Sequence, residues 1–583
     1  MAATKKKKPV SVVNFNFKRA TTRPDYKKLK KKSTSCGVAA ALVTAFIAFY
    51  FCLVPLNIHS VGLWVAVIMV LAAFSYVKFL VFRAGCSGWE ETYAEKNITW
   101  EAACKTQNQF KALPWAAAIL LGIVAFSGCT MLNTDAYSSL LTVEDAVFSE
   151  DLAQSLDTDS IALMDTNSAR MLGDREIGSL ASVVSQYNVS DNYVQIDLNG
   201  TPKKVAALDY AGFFKWLGNK ESGVPGYVIV DPVSMSASYE SCEDNMIYVP
   251  SAFFGQSAAR YIRMHYLGTM FGNLHFEVNE EGKPFYVASV YEKTISLLGG
   301  KTVCGAIVLD PATGKLAKYA LSDIPTWVDM AFDGDLLCRQ YNWLGTLKNG
   351  FVNSIIGKKG CKQVTTYTEA TEEDDETPVS DYGYVAKDGD IWIYTGVTSV
   401  NGDSSNIGFL LANERTGEAH YYSVAGADEK SAMAAAEGEV QEKNYQASFP
   451  ALINVDDCPT YIMVLKDAGG LVKLYAAVNV QQYNIVTTAS TQAACMDKYR
   501  ALLGIEKDDE DVNETETKSL TITIKAIKSV VIEGDTYLYL ISENNEIFKA
   551  KAYEHENMLL LEAGNSVELE CAGNRIVECK ISA

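Results

Sequence analysis

Histidine is nearly missing from this chain of 583 residues, which holds only His59, His265, His275, His420 and His555. Its thirteen cysteines include no C-x-x-C pair. Zinc, haem and thioredoxin-type chemistry therefore have little to build on. Also missing are a G-x-S-x-G elbow, a phosphate loop, an H-E-x-x-H helix and a dinucleotide fingerprint. An enzyme would have to use an unmarked site. The expectation is that the chain is not an enzyme, with no catalytic, cofactor-binding or metal residue to nominate and no cofactor implied.

Positive charge is scarce outside one segment. Lys+Arg number 51 against 70 Asp+Glu, a net charge of -19. Residues 1–32 alone hold twelve Lys/Arg and one acid, net +11, which leaves -30 (-19 less +11) for residues 33–583. So acidic a body argues against a nucleic-acid partner, because affinity for phosphate backbones comes mainly from Lys and Arg. The basic tail reads as a topology determinant that also rests on anionic membrane lipids.

What the chain does have is three apolar stretches, Cys36–Val54, Val61–Phe82 and Leu113–Leu132. Each is close to the roughly 20 residues that cross a bilayer, so residues 33–132 read as three transmembrane α-helices. Lys5–Lys8 and Lys27–Lys32 place the tail inside, and Arg83, Lys96, Lys105 and Lys111 do the same for the second loop. Three crossings put residues 133–583 on the extracytoplasmic side of a multi-pass plasma-membrane protein. The one ionisable residue in the spans, Lys78, can snorkel, which argues against an ion pathway. Ser127-Gly128-Cys129 after an apolar run has the look of a lipoprotein signal, but it starts about 105 residues in and reads better as a helix end rich in small residues.

Residues 133–505 alternate short apolar runs with Gly, Asn-Gly and Asp-Gly turns and a few helical stretches, which reads as α+β with mostly antiparallel strands. Degenerate hairpins recur. Gly305-Ala-Ile-Val-Leu-Asp310 with Thr313-Gly314 and Tyr319 returns 103 residues later as Gly408-Phe-Leu-Leu-Ala-Asn413 with Thr416-Gly417 and Tyr422. A weaker copy runs Gly226–Pro232. Each reads as strand, Asp/Asn-initiated turn, strand. The acidic segment Thr365–Ser380 between the later copies reads as an inserted solvated loop. Helices are expected at Asp428–Glu442 and from a Ser490 cap to Leu503, with strands at Ala451–Val455, Thr460–Lys466 and Leu471–Val480. Residues 506–519 read as an acidic linker, and residues 520–583 as five strands of a small OB-like or SH3-like β-barrel.

The helix-on-hairpin pattern with D-x-x-T-G resembles PepSY-type modules. Ser138-Ser-Leu-Leu-Thr-Val-Glu-Asp, Leu172-Gly-Asp-Arg-Glu-Ile-Gly-Ser, Tyr394-Thr-Gly-Val-Thr-Ser-Val-Asn-Gly-Asp and Pro459-Thr-Tyr-Ile-Met-Val-Leu-Lys-Asp resemble an uncharacterised family of membrane-anchored bacterial proteins. That resemblance implies a Gram-positive-type cell envelope and carries over no functional residue.

Several groups could carry chemistry, and each has a blander reading. Asp323, Asp329, Asp333 and Asp335 around Trp327 could bind Ca²⁺ or do acid/base work, but without a later Glu they read as a surface turn beside a core anchor. Asn401-Gly402-Asp403 to Asn406 has the residues of a hairpin tip. His265, His275 and Glu277 are too loosely spaced to specify a metal site. A two-residue loop at Gly573-Asn574 would set Cys571 opposite Ile576, away from Cys579, so buried thiols are expected there. The function expected is a membrane-anchored extracytoplasmic binding or scaffold protein of the cell envelope, with a protein partner or cell-wall polymer. The alternatives are an accessory or sensor subunit of a transport, secretion or envelope-synthesis complex, and an envelope hydrolase.

Overall fold

The computed structural model describes residues 26–86, 110–152, 163–365, 382–400, 405–504, 518–532, 535–544, 546–551, 558, 561, 563–572 and 575–581. The basic tail to Asp25, nearly all of Thr365–Ser380, the tip Asn401-Gly402-Asp403 and the linker to residue 517 lie outside the described residues. The chain divides into two compact units, 1–503 and 504–583.

Helices α1 (Tyr26–Tyr50) and α2 (Val61–Cys86) are each long and apolar enough to cross a membrane. Helix α3 (Ala112–Ser127) has 16 residues. At 1.5 Å per residue it spans about 24 Å, short of a hydrocarbon core of roughly 30 Å. The expected three spanning helices are thereby corrected to two. The apolar run continues to Leu132, but the side-chain amide of Asn133 takes the carbonyls of Ser127 and Cys129 (2.8 and 3.0 Å) and stops the helix. α3 begins beside α2, where Ser75 Oγ donates to Phe110 O (2.7 Å). It ends at the α1–α2 turn: the Ser296-Leu297 tip meets both Ser127 Oγ (2.7 Å, through Ser296 Oγ) and His59 Nδ1 (2.9 Å, through Leu297 O).

The rest of this unit corrects the α+β expectation. It is β-rich, and its main sheets are four antiparallel meanders in chain order. The first comprises Tyr187–Val189 with Val194–Leu198, then Thr201–Tyr210, Val224–Asp231 and Ser236–Met246. The second comprises Met270–Val278, Pro284–Ile295, Gly299–Leu309 and Leu316–Ala320. The third comprises Lys362–Val364 with Gly383–Lys387, then Asp390–Ser399, Gly408–Asn413 and Ala419–Tyr422, to which Glu144–Ala146 adds as a sixth, parallel edge strand. The fourth comprises Gln446–Ala447 with Ala451–Val455, then Cys458–Lys466, Val472–Asn479 and Val486–Ala489.

The sheets stack face to face. Ile307 and Leu309 of the second pack with the core of the first, while Val303, Ala306 and Val308 pack toward Ile393 and Leu410 of the third. Trp392 and Phe409 on the other side of the third meet Tyr461 and Met463 of the fourth. The last face of the fourth, Ile462 and Val464, is covered by Tyr499 of helix Gln492–Leu502 and by Leu163, with Met235 of the first sheet packed alongside. An ion pair from Lys466 to Asp165, the N-cap of helix Thr166–Gly178, ties the fourth sheet back to the first. Four meanders in a ring make the architecture of a four-bladed propeller. Because both faces of each sheet are covered, runs such as Tyr461–Leu465 are apolar without alternation, which hides a sheet's usual sequence signature.

The three recognised hairpins are the last turns of the first three sheets. The side chains of Asp231, Asp310 and Asn413 each accept two backbone N–H bonds, from Val233 and Ser234, Ala312 and Thr313, and Arg415 and Thr416 (2.8–3.2 Å). Gly314 and Gly417 take φ of +75° and +77°.

In the second unit five strands pair in the order Lys518–Ile532, Asp535–Ser542, Ile547–Lys551, Arg575–Ile581, Ser566–Ala572. In that order the strands close into a barrel, and one of its seams is a single parallel pair, Lys549 with Arg575. Cys571 stands opposite Ile576, and both Cys571 and Cys579 are buried.

Candidate functional site

In all four sheets the first strand is interrupted at the same place. It breaks after Val189, after Phe271, after Val364 and after Ala447. In three of them a hydroxyl residue bridges the break: the N–H groups of Ser190, Thr365 and Ser448 donate to Ala207 O, Gly396 O and Val464 O (2.8–2.9 Å). In the second sheet Gly272 occupies the equivalent place, within a bulge. Residues just beyond the four breaks, Asp191–Gln195, Gly272–His275, Tyr382–Tyr384 and Phe449–Ala451, line one cavity of about 1020 Å³.

Three buried polar side chains in this lining stand out. Gln195 and Lys204 lie directly across from each other on adjacent strands and are 4% and 3% exposed. Glu414, which follows the Asn413 turn, is 2% exposed. Gln195 Nε2 and Glu414 Oε1 have no hydrogen-bond partner among the described residues, and neither does Tyr193 Oη of the same lining. Lys204 Nζ, 5.1 Å from the ring centre of Tyr384, has no hydrogen bond or ion pair among the described residues. Burial lowers its pKa to about 8, against the upward pull of Asp165 and Glu414. Burial, reinforced by the charges of Asp333 and Glu277 and opposed by Lys204, pushes the Glu414 carboxyl well above the usual carboxylate range. Lys466 and Asp165 at the rim satisfy each other; that ion pair holds Asp165 low despite burial.

The acids singled out in the sequence are dispersed. Asp333 caps helix Gly334–Leu347 through Asp335 N (3.1 Å) and reaches the cavity lining. Asp329 is buried, accepts from Asp197 N (2.9 Å), and its own N–H donates to Glu277 (2.9 Å). Trp327 packs on Phe285, with ring centres 4.7 Å apart. Asn406 is buried against Tyr461 Oη (3.1 Å). His275 pairs with Glu277 (2.9 Å), whereas His265 is on an exposed helix end. Among the described residues no three His, Cys, Asp or Glu side chains are placed to hold a metal ion.

Gln195, Lys204 and Glu414 are absent from the sequence-based candidates. The available signal was a polar residue inside a strand otherwise buried on both faces, as in Tyr193-Val-Gln195-Ile. The cavity's polar groups can donate to and accept from a small molecule that enters it.

No family model and no curated protein matches the sequence. A solved structure, that of an ancestral GH74 enzyme, matches at 10% identity over 63% of this chain and 42% of its own, so the chain spans less than half of that protein. With a TM-score of 0.15 the likeness carries no argument about fold or activity.

Proposed function

We propose that the chain is a membrane-anchored binding protein of the cell envelope whose central cavity takes a small polar ligand. The observation that carries this reading is the set Gln195, Lys204 and Glu414, buried in one cavity lining, whose Nε2, Nζ and Oε1 have no hydrogen-bond or ion-pair partner among the described residues. Buried polar groups are ordinarily satisfied, and a buried ammonium without a counter-charge is costly. A ligand that supplies acceptors to Lys204 and Gln195 would remove that cost. A volume of about 1020 Å³ is at the upper end for small-molecule sites.

In this proposal the basic tail lies against anionic lipid, and the ring sits at the opposite end of α1, beside the α1–α2 turn. Two facts support it: the α1–α2 turn that abuts the ring, Pro55–Ser60, has no Asp, Glu, Lys or Arg, and the tail is at the far end of α1. A second reading, a sensor subunit of a membrane complex, is favoured by Arg263. This buried guanidinium donates to Leu53 O (2.9 Å) and so couples the ring to the membrane helices.

The test is purification of the full chain from its own membranes, unfolding, and mass spectrometry of the released small molecules, with Gln195→Leu and Lys204→Met in parallel. The expected result is a polar species stoichiometric with wild type and lost from both variants. No such species, or equal amounts from all three proteins, contradicts the proposal.

A further inference from the structure

The ring is fastened to the α1–α2 turn by two arginines, Arg260 on Tyr50 O and Arg263 on Leu53 O. Arg260 Nε donates to Tyr50 O (3.0 Å), its guanidinium lies 4.6 Å over the Tyr50 ring, and its Nη1 donates to Phe254 O (2.8 Å). From Phe254 a chain of touching rings leads outward: Trp216 at 5.7 Å, Phe213 at 6.4 Å, and Phe214 at 5.5 Å from Phe213. Phe214 is 82% exposed and Phe254 53%. Phe254 has φ of +50°, a strained conformation for a bulky residue, and its ring still faces solvent.

A second apolar patch stands beside the end of α3. Tyr137 Oη donates to Gly128 O (2.6 Å), and its ring packs 4.8 Å from Trp343 of helix Gly334–Leu347. That helix is followed by a turn, Asn353–Gly357, with Ile355 58% and Ile356 80% exposed. Residues 348–362 hold four lysines and no acid, within a body of strongly negative charge.

We propose that these two patches are seated in the bilayer surface, so that the ring lies on the membrane and is not merely tethered above it. One patch adjoins the turn end of α1 and the other the end of α3, and each combines exposed aromatic or branched apolar side chains with cations, Lys215 and Arg260 in the first and the lysines of 348–362 in the second. Apolar groups at the headgroup–acyl boundary, flanked by lysines on anionic headgroups, are what an interfacial surface requires. Exposed to water, the same patches would be a standing liability. The proposal rests on membrane anchoring by α1 and α2.

The full chain in lipid vesicles containing anionic lipid tests it, with a photoreactive benzophenone side chain placed at Phe214, Phe254 or Ile356. Met69 of α2, 54% exposed, is the reference inside the bilayer. Lys315, at the opposite end of strand Gly299–Leu309 from the Ser296 tip, is the reference in water. The proposal expects lipid adducts at all three positions, at least about tenfold above Lys315, as for interfacial side chains. Adducts at Met69 with none above the Lys315 level at the three positions, or adducts to a protein there, overturn it. No lipid adduct even at Met69 overturns the anchor itself.

Discussion

Lys204 is the residue at which stability and binding are most directly opposed. Its ammonium is buried, and burial lowers its pKa from 10.5 to about 8. In the unfolded chain the proton is held to about pH 10.5, so between pH 8 and 10.5 the unfolded state binds more protons and stability rises with pH. Below pH 8 both states are protonated and the whole penalty is present. Lys204→Met is therefore expected to stabilise the ligand-free chain at pH 7, by up to about 3 kcal/mol for a shift of this size. The variant should also lose the rise between pH 8 and 10.5. Melting temperatures of both proteins across that range check this, and a variant less stable than wild type at pH 7 would show that Lys204 is satisfied within the fold. Glycine shows the same economy of position: a Cβ on Gly226, Gly305 or Gly408 would meet a carbonyl oxygen of the neighbouring strand, on Glu240, Tyr319 or Tyr422, at 2.1–2.4 Å.

Those three glycines occupy equivalent places in their strands, each five residues before the turn residue Asp231, Asp310 or Asn413, which makes them a property of the hairpin as an element. Gly305→Ala should cost about 1–3 kcal/mol, since the second sheet must part from its edge strand to admit the methyl. Gly438→Ala, at the end of helix Glu429–Gly438 with open space around it, should be neutral or stabilise by up to about 1 kcal/mol. Denaturant midpoints of the two variants distinguish these outcomes; equal effects would mean the strand spacing is not as described. The hairpins were legible because Asp or Asn followed by Thr-Gly specifies its own turn through side-chain acceptors. The fourfold order was not, because the break in the first strand is marked by Ser190, Gly272, Thr365 and Ser448, residues too ordinary to align. In the third sheet the acidic segment also separates Val364 from Gly383. The end of α3 was misjudged for a related reason: hydropathy runs on to Leu132, while a capping amide from Asn133 ends the helix at Ser127.

At the scale of the whole molecule, composition foresaw an acidic body behind a basic tail and apolar helices. It could not foresee a ring, because stacking covers both faces of each sheet and erases the alternation from which sheets are read. Nor could it foresee the cavity, whose polar groups come from places far apart in sequence: Gln195 and Lys204 in the first sheet, Glu414 in the last turn of the third. Such a site exists only once the sheets close round an axis. Its central claim, that the axis is a ligand site, is tested most directly by cryo-electron microscopy of the full chain taken from native membranes without ligand-stripping washes. The account predicts connected density within hydrogen-bond reach of Gln195, Lys204 and Glu414. A cavity filled by the chain's own side chains, or by isolated waters that satisfy all three groups, would contradict it.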